Sequence, residues 1–146
     1  MPERGTIERA RRDRREGKSP TTQAGEFVRE EIHHVREGKH GARSAKQAIA
    51  IGLSKARRAG VKLGAPPKSA SARTRRGAAS ASRAARRGRR KPSPSRSRAA
   101  LKALKGEPRR TASRSALARQ ARQSARRRGR TARKASARKA VATRRR

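Results

Sequence analysis

The 146-residue chain carries 46 Lys+Arg against nine Asp+Glu, a formal net charge of +37, with aromatic residues at 1%. Low hydrophobicity combined with such like charge is the compositional signature of disorder. Only 30% of residues are apolar, many of them alanine, which excludes a large core. The absence of cysteine excludes disulfides, thiolate zinc sites and cysteine nucleophiles. No apolar run is long enough to span a bilayer, and "MPERGTIERARRDRREG" has no apolar stretch of the secretory kind, so the composition reads as a soluble cytoplasmic polycation without a membrane partner.

Charge is unevenly placed. Eight of the nine acids lie in the first 37 residues and only Glu107 follows. Residues 1–63 hold 16 cations and 8 acids, a balance of +8, while residues 64–146 hold 30 cations and one acid, a balance of +29. Residues 1–18 are of mixed charge with Ile7 as the only large apolar residue after the initiator, and they read as a charged flexible or weakly helical arm.

The next stretch, "SPTTQAGEFVREEIHHVREG", predicts a helix. Ser19 before Pro20 offers an N-cap, Ala24, Phe27, Val28, Ile32 and Val35 recur at steps of three and four, and Gly38 stops the pattern. A second helix follows from "SAKQAIAIGLSKARRAG". Ser44 and Gln47 have the spacing of a capping box, Ala45, Ala48, Ile49, Gly52, Leu53 and Ala56 share a face, and Gly60 suits a left-handed end with Val61 folding back. The two make a helical hairpin over residues 19–63, with Gly52 expected to take the close approach near Ile32. So small a core predicts self-association or folding assisted by a partner.

From Gly64 onward the sequence is rich in Arg, Ala and Ser, with Pro66, Pro67, Pro92 and Pro94 as breaks. It reads as a disordered cationic tail over 64–146 that becomes partly helical on binding. The predicted fold class is therefore mostly disordered, low-complexity chain around a small all-α hairpin.

A charge of +37 neutralises at most about 37 phosphates, or roughly 18 base pairs. Arginine outnumbers lysine 35 to 11, and guanidinium forks suit phosphate oxygens and narrow minor grooves. The expected contacts are Arg86, Arg87, Arg89, Arg90 and Lys91; Arg109 and Arg110; Arg126, Arg127, Arg128 and Arg130; and Arg144, Arg145 and Arg146. Lys46, Lys55, Arg57 and Arg58 are expected to add backbone contacts from the hairpin. Phe27 alone cannot form the stacking platform of single-strand readers. Arg43, Ser44, Lys46 and Gln47 could face a duplex in helix-turn-helix fashion, but the connection is longer than usual.

His33, His34 and His40 are the sole metal or acid–base candidates, and they read as surface histidines. No phosphate loop, nucleophile elbow or paired carboxylates appear, so neither catalytic residues nor a cofactor is expected and the chain does not read as an enzyme. Lys18-Ser19-Pro20 and Lys91-Pro92-Ser93-Pro94 set serine–proline steps in basic surroundings, where phosphorylation would subtract about 1.5–2 charges each.

The phrase "KQAIAIGLSKAR", within residues 19–63, resembles small basic bacterial proteins of unknown function, which implies a bacterial origin and a DNA-associated role. The tail is similar in composition to those of linker-histone-like bacterial proteins, with arginine in place of lysine and no regular repeat. The reading is a nucleoid-associated, histone-like protein that binds, neutralises and condenses duplex DNA with little sequence specificity, its hairpin pairing molecules. RNA or ribosome binding, and an interaction module recruiting an acidic protein, are the alternatives.

Overall fold

A computed structural model describes residues 2–87 and 93–144, the side chains of 143 and 144 excepted. Among the described residues are six α-helices and no strand: α1 (Arg4–Arg15), α2 (Pro20–Glu37), α3 (Ala45–Arg58), α4 (Ala72–Arg86), α5 (Pro94–Lys105) and α6 (Arg114–Arg144), with a 3-10 turn at Arg110–Ala112. The chain divides into two units, residues 1–112 and 113–146.

The expectation of a mostly disordered chain is overturned. The protein is 76% helical, and three of the six α-helices lie beyond residue 64. Composition misled because it counts charge and large apolar residues, whereas Ala, Arg, Leu and Gln are all strong helix formers. The prolines open helices as well as ending them, and Pro94 sits in the first turn of α5. The likeness to linker-histone-like tails is one of composition alone and does not extend to disorder.

In the first unit α1 packs on α2, α2 on α3 and α3 on α4. The ends of α2 and α3 form as their residues dictate. Ser19 Oγ accepts from the Thr22 N–H and Gly38 closes α2 at φ 77°. Ser44 Oγ accepts from the Gln47 N–H at 3.2 Å. The Gln47 side chain reaches one residue further back than a capping box would, taking the Arg43 N–H at 2.7 Å. Gly60 is left-handed at φ 93°, and the Val61 N–H returns to Ala56 O at 3.1 Å, the usual closing bond of a helix end of this type.

Two small clusters hold the unit together. Ala10, Ala24, Phe27 and Ala56, flanked by Ile7, Leu53, Val61 and Leu63, join α1, α2 and α3. Val35, Ala42, Ala48 and Ala112, flanked by Ile32, tie the α2–α3 connection to the 3-10 turn. The helices come close because the residues between them are small. A Cβ on Gly52 would stand 2.7 Å from Val28 Cα, so the close approach falls beside Phe27 and Val28, one turn from the expected Ile32. Antiparallel pairing then sets Ala56 level with Ala24 and Ala48 level with Ile32.

Helix α1 buries Thr6, Ala10 and Asp13, a stripe at steps of four and three that contains one apolar residue. Polar bonds replace the missing hydrophobic surface. Arg9 pairs with Glu26, Lys18 Nζ meets Asp13 Oδ1 at 2.8 Å, and the Glu3 N–H donates to Glu30 Oε2 at 3.1 Å.

Segment 104–112 clasps the loop after α2 through main-chain hydrogen bonds. The Gly41 N–H donates to Leu104 O at 2.8 Å and the Ala42 N–H to Pro108 O at 3.2 Å. Thr111 Oγ1 donates to Ala42 O at 2.8 Å, and Arg36 Nε to Ala112 O at 2.9 Å. No hydropathy pattern announces such a contact, because its specificity lies in the backbone and in two alanines, Ala42 and Ala112, that are fully buried.

Candidate nucleic-acid interface

Helix α4 lies on α3 by a face of small residues. Ala78, Ala81 and Ala85 recur at steps of three and four; Ala81 is buried, and Ala78, Ser82 and Ala85 are half-buried. Arg75, Arg76, Arg83 and Arg86 are all exposed, with Arg76 and Arg83 turned farthest from that face. Only Arg86 was expected from the sequence. The signal for the other three is the small-residue stripe, which a search for large apolar residues passes over.

The second unit is α6. Gly129, at φ 72° and ψ 173°, interrupts the helix and separates Arg114–Arg128 from Arg130–Arg144. At a rise of about 1.5 Å per residue, each arm of about 15 residues is roughly 22 Å long. Each carries six cations and no acid. A positive charge therefore recurs about every 3.7 Å along the arm, close to the spacing of about 3.4 Å between phosphates on one DNA strand. In the first arm Arg119, Arg122 and Arg126 line one face, and in the second Arg130, Arg133, Lys134 and Arg138 do. These side chains are exposed, and the alanines between them give the helix without competing for phosphate.

The remaining expected contacts divide by environment. Arg87, Arg109, Arg110, Arg126, Arg127, Arg128, Lys46 and Arg58 are exposed. Arg109 stands over Gly38, where its guanidinium group would meet any added Cβ. Arg89, Arg90, Lys91, Arg145 and Arg146 lie outside the described residues, and Arg144 ends α6.

Lys55 and Arg57 are spent on the fold. Arg57 is buried and donates to Leu63 O at 2.9 Å and Gly64 O at 2.8 Å, which fastens the chain leaving α3. Lys55 Nζ lies 2.7 Å from Glu31 Oε2 and 3.2 Å from Glu30 Oε1. Burial works against the Lys55 ammonium, but the Glu31 and Glu30 carboxylates outweigh it and hold its pKa above the ordinary lysine value. Glu30 is the counterpart: burial opposes its charge, and Thr6, the Glu3 N–H and Lys55 together keep its pKa below the usual carboxylate value.

At the start of α3 the Gln47 amide oxygen is committed to the Arg43 N–H, and Arg43 Nε stands 4.0 Å from Glu107 Oε1. That arrangement does not resemble a free recognition-helix tip. The histidines also depart from their reading as surface residues. His33 is exposed, but the side chains of His34 and His40 retain 13% and 11% of their accessibility.

Residues 4–69 match the model of a family of unknown function (DUF6496). The match takes in α1, α2 and α3 with the Lys46–Arg57 phrase, a little under half of the chain, and the similarity stops short of α4. No curated protein and no solved structure matched the chain. Among the described residues no helix is long and apolar enough to cross a membrane.

Proposed function

We propose that the protein binds duplex DNA through its phosphates, with little sequence preference, and associates with the nucleoid in that way. The observation that supports this most directly is α6: twelve cations and no acid along the helix, those from Arg114 to Lys139 all exposed, spaced close to the phosphates of one strand. Charge repulsion along such a helix is relieved by an anion of matching pitch, and a polynucleotide supplies one. The four exposed arginines of α4 give the first unit a separate cationic face. Two anion-binding units on one chain raise the effective concentration of the second contact once the first is made.

A salt titration of duplex-DNA binding tests the reading, with structured RNA as competitor. Replacing Arg119, Arg122 and Arg126 together by alanine should reduce the slope of log K against log salt by about 3 and weaken all duplex sequences alike. A slope unchanged in that variant removes α6 from the interface. Preferential retention on RNA moves the function to RNA binding.

A further inference from the structure

Helix α2 sets Glu31 and His34 three residues apart, one turn along the same face, and the chain reversal at Gly38 returns His40 to them. One ligand atom from each of Glu31, His34 and His40 lies within 4.8 Å of the others. A carboxylate and two imidazoles at i, i+3 and beyond a turn are the donor set of borderline metal ions, zinc foremost, and the Glu-x-x-His spacing recurs in metal-binding helical bundles.

The hydrogen bonding around the three residues points the same way. His40 Nδ1 lies 3.0 Å from Gly41 O, and because a carbonyl only accepts, Nδ1 carries the proton. In the neutral ring Nε2 then holds a lone pair, and it stands 3.2 Å from Glu31 Oε1, another acceptor, on a carboxylate that is fully buried. Glu31 Oε1 receives no hydrogen bond, whereas Oε2 is paired with the Lys55 ammonium. Lys55 Nζ, at 2.7 Å, answers the charge at Oε2 and leaves Oε1 facing His40. The two donor atoms at 3.2 Å stand side by side. They already span the edge of a tetrahedron whose metal bonds are about 2.0 Å long.

His34 is held as metal-binding imidazoles are. Its Nε2 lies 2.8 Å from Glu3 Oε1. Such a carboxylate–imidazole pair fixes the ring and, with the proton on Nε2, leaves Nδ1 as the lone-pair atom. It also lines a cleft in which Glu3, Glu30 and Glu37 stand among Arg9, Arg29 and Lys39.

We propose that Glu31, His34 and His40 bind one divalent transition-metal ion of the zinc class, with a fourth position left to water. The site is independent of the DNA-binding faces. Its consequence is structural, since the ion joins the last two turns of α2 to the loop that segment 104–112 clasps.

Calorimetric titration of the full chain with Zn²⁺ tests this directly. The expected result is one saturable equivalent and a raised thermal midpoint. Glu3→Gln should weaken binding by roughly 10- to 100-fold, the cost of an outer partner, and His34→Ala or His40→Gln by more than that. His33→Ala, at the exposed neighbour, should change nothing. Co²⁺ bound to the unaltered chain gives a readout that does not depend on variant folding, since a site of two histidines and one glutamate yields tetrahedral ligand-field absorption. Absence of that absorption, binding without saturation at one equivalent, or equal loss in His33→Ala overturns the proposal. So does a titration in which His40 shows only proton binding and Zn²⁺ leaves its ring signals unmoved.

Discussion

A Cβ placed on Gly52 would stand 2.7 Å from Val28 Cα, so α2 and α3 meet backbone against backbone. Gly52→Ala should therefore destabilise the protein by about 1–3 kcal/mol in urea unfolding, despite the better helix propensity of alanine. Gly25, in α2 with open space around it, is the control. Gly25→Ala should stabilise by about 0.5–1 kcal/mol, and equal effects at both positions would contradict the close approach.

The ammonium of Lys55 is shared by two buried carboxylates, Glu30 and Glu31. Lys55→Met keeps the stem and removes the charge, leaving both acids without their cation. The expected loss is about 3–5 kcal/mol at neutral pH, measured by denaturant unfolding of the metal-free protein. A loss under about 1 kcal/mol, as for an exposed pair, would show that the network carries little of the fold.

Gly41 lies beneath the Glu107 carbonyl, with no room for a side chain. Gly41→Ala should release segment 104–112 while leaving α1, α2 and α3 in place. Amide hydrogen exchange reads this directly. The Gly41 and Ala42 N–H groups, bonded to Leu104 O and Pro108 O, should lose protection while Ala56 keeps its own.

Asp13, followed by Glu16, raises the pKa of Lys18 above its ordinary value of 10.5. A group with a raised folded pKa contributes stability that is full below the unfolded value and disappears as pH rises through the folded one. The contribution should thus be lost on the alkaline side of 10.5, and Lys18→Ala should flatten that part of the thermal midpoint against pH. Because Lys18 is exposed, the difference should be small and should shrink with added salt. A variant whose alkaline limb parallels the parent's would show the pair to be inert.

The helical hairpin was legible because its signals are local. Ser19 with Pro20, Ser44 and Gly60 act through their own backbone, and the three- and four-residue recurrence from Ala24 to Val35 specifies which face is buried. The cationic composition beyond residue 64 was equally plain, and so was the absence of a stacking platform around the lone Phe27. What escaped notice is made of small or polar residues. Thr6 and Asp13 bury a face of α1, Ala81 seats α4, and Ala42 with Ala112 receives the clasp, yet none of these carries hydropathy that distinguishes it from its neighbours.

The candidate sites divide in the same way. A helix of arginine and alanine declares its charge in one dimension, so α6 could be proposed as an anion-binding surface from its residues alone. Which cations are spent on the fold is a matter of neighbours: Lys55 and Arg57 read like Lys46 and Arg58 until Glu31 and Leu63 are brought beside them. Likewise His34 and His33 are adjacent in the chain, but a helix turns about 100° per residue. That rotation exposes His33 and turns His34 inward beside Glu31 and His40. Local capping and helix propensity thus follow from the order of residues, because each acts within a turn or two of its own backbone. The pairing of buried groups required the tertiary fold, because the partners are distant in the chain: the sequence separation is 25 for Glu30 and Lys55 and 69 for Ala42 and Thr111.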